Sequence, residues 1–76
     1  MKTIYVATDL DHSDVPSMWY NNLSECREYA KQMASSTEDE WLVYQQKVDD
    51  RGTGISYPWN ITIFRPEGSE RKPINN

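Results

Sequence analysis

The chain carries 76 residues, a formal charge of −4 and a single cysteine. That length admits one small domain with a marginal core, which buries about 60% of its unfolded surface. Cys26 alone excludes an internal disulfide and points to a reducing cytoplasm. An acidic balance disfavours nucleic-acid binding, which depends on neutralising phosphates, and no apolar run approaches the ~20 residues that cross a bilayer.

Residues 2–8 alternate around Ile4, Tyr5, Val6 and Ala7, which predicts a strand rather than a signal peptide. Residues 9–20 are dense in Asp, Ser and Pro, and Pro16 forbids a regular helix there. Trp19, at the end of that loop, is expected to fold back over one edge of the core. Asn22-Leu23-Ser24-Glu25 reads as a capping box, and Leu23, Cys26, Ala30 and Met33 then recur at helical spacing. A helix over 23–35 follows, with Arg27, Glu28, Lys31 and Gln32 on its wet side.

Residues 40–48 and 57–65 read as two strands joined by a loop with two glycines, Gly52 and Gly54. A hairpin register pairing Trp41 with Phe64, Leu42 with Ile63 and Val43 with Thr62 separates two apolar sets, because side chains alternate across a strand. The fold expected is α+β, β-α-β-β, with a three-stranded sheet of order 1-3-2 and one amphipathic helix on one face. A right-handed crossover makes the first and second strands parallel. Residues 1–66 form the domain, and 67–76 read as a flexible tail.

One helix can roof only one face. The larger set, Ile4, Val6, Leu42, Tyr44, Val48, Tyr57, Trp59, Ile61 and Ile63, is expected beneath it. Tyr5, Ala7, Trp41, Val43, Thr62 and Phe64 then lie on an open face, unless the 9–20 loop covers them. Contiguous exposed aromatic surface marks interaction sites. The partner-binding set is therefore Tyr5, Trp41, Val43 and Phe64, rimmed by Glu38, Asp39, Glu40, Asp49, Asp50 and Arg51. On this reading a Trp41→Ala, Phe64→Ala variant stays folded and loses binding.

Catalytic and metal signals are weaker. Thr8-Asp9-Leu10-Asp11 resembles the Asp-x-Asp signature of haloacid-dehalogenase-type phosphotransferases over four residues only, in a chain with no room for that doubly wound sheet. An acidic turn that satisfies its own backbone is the simpler reading. His12 near Asp9, Asp11 and Asp14 lacks zinc-type ligand spacing, and Cys26 is expected to pack in the core, where a thiol is inert. No catalytic residue, metal or cofactor is expected.

The capped helix Asn22-Leu23-Ser24-Glu25-Cys26-Arg27-Glu28-Tyr29-Ala30 and the closing strand Ile61-Thr62-Ile63-Phe64-Arg65-Pro66 resemble, between Asn22 and Pro66, small bacteriophage early proteins that inhibit host enzymes, such as the small inhibitors of bacterial RNA polymerase. The resemblance is architectural, one helix on a three-stranded sheet, and carries over no inhibitory residue. It implies a non-enzymatic module that occludes a host enzyme or defence component. The other expectations are a homodimer with a structural or regulatory role and an acidic DNA mimic.

Overall fold

A computed structural model describes residues 2–73. Six elements follow in chain order: β1 (Lys2–Asp9), β2 (Met18–Tyr20), α1 (Leu23–Thr37), β3 (Trp41–Val48), β4 (Trp59–Phe64) and β5 (Glu70–Arg71). They form one helix and a five-stranded sheet of order β2-β1-β3-β4-β5, antiparallel throughout.

The class α+β stands, but the three-stranded 1-3-2 sheet does not. Strand β1 pairs directly with β3, from Lys2 opposite Val48 to Asp9 opposite Trp41, and the pairing is antiparallel. The expected parallel crossover belongs to a different pair. Short β2 returns antiparallel beside β1, with Tyr5 opposite Tyr20. Strands β2 and β3 therefore run parallel to each other, and α1 connects them across β1. Two residues of the stretch read as tail, 67–76, also join the sheet: Gly68 adopts a φ of 100°, and Glu70 and Arg71 then pair with Phe64 and Ile63. The remainder of that stretch, 74–76, lies outside the described residues.

Helix α1 starts where the sequence places it. Asn22 sits in extended conformation and its Oδ1 accepts from the Glu25 backbone N–H at 3.2 Å, satisfying one orphan donor of the first turn. It runs two residues past Ser35 and stops at Glu38, which adopts the left-handed conformation at φ 59°.

The inner face of the helix decides the core. Its buried residues are Cys26, Ala30 and Ala34, all small. Small side chains let the helix approach closely and leave the sheet to supply the volume, and close packing demands that volume. Trp41 and Phe64 supply it, both 0% exposed, with Val43 at 2% and Ala7 beside them. Half-buried Tyr5, Val15, Tyr20, Leu23, Tyr29 and Met33 pack around this cluster. Tyr29 meets Trp41 edge-on at 5.8 Å between centroids and Tyr20 at the same distance, a geometry that adds to area burial. The Trp41 Nε1–H donates to Thr37 Oγ1 at 3.0 Å, so its one polar atom is satisfied. Arg27, expected on the wet side, lies across Phe64 with its guanidinium 5.2 Å from the ring and donates to Glu70 at 2.8 Å.

The helix thus covers the face expected to be open. Trp41, Val43 and Phe64 are core residues, Tyr5 packs against them, and none of the three buried side chains can meet a partner. Trp19, expected to close the core, is 56% exposed, while its neighbour Tyr20 takes the core position.

The β3–β4 register follows the expected pairing at Trp41–Phe64, Leu42–Ile63 and Val43–Thr62, then shifts. Gln45 pairs with Trp59 instead of Asn60, so Asn60 and Ile61 together oppose Tyr44 in a β-bulge, and Asn60 takes a φ of 55°.

Truncating Trp41 removes the largest volume in this core. Trp41→Ala is expected to cost about 3–5 kcal/mol, against a total stability of about 4–11 kcal/mol for a chain this long. A urea titration followed by circular dichroism should find it largely unfolded or shifted to a far lower midpoint. Thr37→Val, which removes the indole's acceptor and the hydroxyl's own donation to the Met33 carbonyl at 2.6 Å, should cost about 1–2 kcal/mol.

Candidate functional site

Partners in a register share a face of the sheet. On the side away from α1 this places Ile4, Val6, Tyr44, Leu42, Val48 and Ile63, with Trp19 beside Val6 and Arg71 beside Ile63. Ile61 joins them by alternation from Ile63. Val6, Val48 and Ile63 are shielded by their neighbours, whereas Ile4, Leu42, Tyr44 and Ile61 remain partly open. None of the seven belongs to the helix-side core or packs against it. The sequence's imbalance between sheet faces and helices is therefore present, with the two faces exchanged.

Charged groups bracket this apolar strip. At one end Glu40 accepts from Arg71 through both oxygens, 3.1 and 3.2 Å, with Arg65 at 3.7 Å. The Arg71 hydrogen bond holds the Glu40 carboxyl below its ordinary range. At the other end a groove of about 570 Å³ opens between Trp19 and the loop after β3, lined by Lys2, Ile4, Val48, Asp49, Asp50 and Arg51. Asp49 builds that loop: its Oδ1 accepts from the N–H groups of Arg51 and Thr53, both at 2.9 Å. Gly52 there takes a φ of 83°, a conformation that costs L-residues strain. Lys2 Nζ stands 5.3 Å over the Trp19 ring.

The rim expected from sequence is thus split. Asp49, Asp50 and Arg51 border the groove, and Glu40 closes the opposite end. Glu38 is the exposed left-handed residue after the helix. Asp39 turns elsewhere, toward His12 and Asp9.

Strand β1 ends beside the start of β3, so Asp9, His12 and Asp39 converge. Asp9 Oδ1 accepts from the backbone N–H of Asp11 at 2.9 Å and of His12 at 3.1 Å, the self-satisfying acidic turn expected there. Asp11 Oδ2 accepts from the Glu40 N–H at 2.9 Å, which ties the loop to β3. His12 Nδ1 lies 2.8 Å from Asp39 Oδ2 and 4.0 Å from Asp9 Oδ2. Burial opposes ionisation of Asp9, but the Asp39 carboxyl and the two N–H donors outweigh it and hold Asp9 below its usual value. The hydrogen bond with Asp9, followed by burial, pushes Asp39 up. The Asp39 carboxylate raises His12. Asp9 is therefore the member that stays ionised. The sequence offered no signal for this meeting, because a parallel pairing of the first two strands sends Asp9 and Asp39 to opposite ends of the sheet.

Cys26 is fully buried, and burial pushes its thiol from 9.0 to about 11. Among the described residues no helix is long and apolar enough to cross a membrane. Set against known proteins, the chain matches no family, no curated protein and no solved structure.

A thiol raised this far reacts slowly, since only the thiolate attacks. At pH 8 iodoacetamide should alkylate Cys26 at least about a hundredfold more slowly in the native protein than in guanidinium, the factor that two units of thiolate suppression imply. Mass spectrometry over time reads the ratio. The raised value also contributes stability that is complete below pH 9.0 and lost as pH rises through about 11.

Proposed function

We propose that this chain is a non-enzymatic protein-binding module that docks through the sheet face its helix leaves uncovered. The observation that carries the reading is the strip of Ile4, Leu42, Tyr44 and Ile61, partly open, with exposed Trp19 at its edge. Apolar surface of this kind is costly to leave in water and marks docking sites. Among the described residues, burial of Cys26 removes the one thiol from nucleophilic chemistry.

The partner is a different protein, presenting an apolar ridge flanked by basic side chains. Charge argues for this over a second copy. Each chain carries −4, so two copies stacked face to face repel, whereas a basic rim is attracted and docks faster. Occlusion of a host enzyme or defence component is the finer form of the reading; it rests on the sequence resemblance alone, and the three-stranded sheet of that resemblance is not the five-stranded sheet of this chain.

Photo-crosslinking in the native cell tests the surface. A benzoylphenylalanine placed at Tyr44 should yield a discrete adduct larger than the chain and smaller or larger than its dimer, whereas the same probe at Lys31, on the exposed helix side, should not. Leu42→Arg in the Tyr44 background should abolish the adduct with an unchanged circular dichroism spectrum, and raising salt should weaken it. Equal labelling from both positions, or an adduct at twice the chain mass, would overturn the proposal.

A further inference from the structure

The Asp9–His12–Asp39 cluster contains an atom without a partner. Asp9 Oδ2 is buried and accepts no hydrogen bond in the structure, and the Asp9 side chain is 0% exposed. Its other oxygen takes both available backbone donors. An ionised oxygen left bare in the interior is expensive, and such an atom calls for a cation or a donor. What faces it is a second carboxylate and an imidazole. Asp39 can satisfy it only while it holds a proton, as the hydrogen bond that pushes its carboxyl up requires, and His12 Nδ1 stands 4.0 Å away, beyond a hydrogen bond.

We propose that Asp9 Oδ2, His12 Nδ1 and Asp39 Oδ2 bind one divalent transition-metal ion of the zinc type. One ligand atom from each of the three residues lies within 4.8 Å of the other two. Ligand distances of about 2.1 Å place two donors on one ion at most about 4.2 Å apart. The separations of 2.8 and 4.0 Å from His12 fall within that span. One imidazole nitrogen and two carboxylate oxygens form a borderline-hard donor set, suited to Zn²⁺ and its first-row neighbours and poor for Mg²⁺, which prefers oxygen and its own waters. The metal displaces the hydrogen that His12 Nδ1 shares with Asp39 and meets the bare Asp9 oxygen. Access is open, since the His12 side chain is 60% exposed while Asp39 is 14% exposed. Bound there, the ion links the end of β1, the 10–17 loop and the residue pair preceding β3.

His12 is the only histidine of the chain, which gives the site a single clean reporter. Titration with ZnCl₂ alone, followed by the His12 ring proton resonances, should show a saturable shift at one equivalent, and the melting temperature should rise by several degrees. Equimolar MgCl₂ should do neither. Asp39→Asn should weaken zinc binding by about tenfold or more, read by isothermal titration calorimetry, while Asp14→Asn, an adjacent loop acid outside the triad, should bind as the parent does. His12→Asn should abolish the thermal shift. Should either triad variant unfold, the ring-proton titration of the parent protein still decides. An unshifted His12 signal, or a thermal shift that survives His12→Asn, would overturn the assignment.

Discussion

The structure turns on the small inner face of its helix. Cys26, Ala30 and Ala34 present almost no volume to the sheet, so the core fills only if large side chains rise from the strands below. Trp41 and Phe64 do this, and Trp41 finds a hydrogen-bond acceptor in the last turn of the same helix. A roof of leucines could sit on a bed of valines and isoleucines. A roof of alanines needs aromatic rings beneath it, and this chain places two of its largest on one face of neighbouring strands, directly opposite each other.

That complementarity selects the covered face against the number of apolar residues. More hydrophobic side chains lie on the other side, yet they are branched aliphatics and a tyrosine, and they pack laterally along the strands. Val6, Val48 and Ile63 are shielded in this way without any second layer. Volume matching across the helix–sheet interface outweighs a count of apolar positions, because a cavity under a small-faced helix costs energy in proportion to its size.

Local signals in the sequence were sound. Asn22 marks the helix start, the alternation over 2–8 and 41–48 marks two strands, and the pairing of residues 41–43 with 62–64 follows from keeping each apolar set on one side. What local pattern does not carry is the direction in which distant strands meet. The three residues of β2 lie just beyond Pro16 and are too short to alternate visibly, and β5 has only two. Missing β2 moved the crossover onto the wrong pair, and with it went the sheet order, the orientation of β1 against β3 and the covered face. The Asn60 bulge was equally silent, since an asparagine between aromatic and β-branched residues reads as an ordinary outward position.

The same antiparallel pairing accounts for where charge accumulates. It sets the end of β1 against the start of β3, so Asp9 and Asp39 come together although thirty residues of chain separate them. At the opposite end Lys2 stands beside Val48 and the acidic turn that follows. Acidic groups therefore collect at both ends of the central strand pair, and the apolar strip of Val6, Leu42 and Tyr44 lies between them. At one end the acids are satisfied by arginines and backbone donors: Glu40 by Arg71 and Arg65, Asp11 by the Glu40 amide. The Asp9 oxygen is the exception, buried by the turn that its own partner oxygen organises. The turn secures β1 to β3 and, by the same geometry, leaves one buried carboxylate oxygen that, among the described residues, only a protonated Asp39 can satisfy.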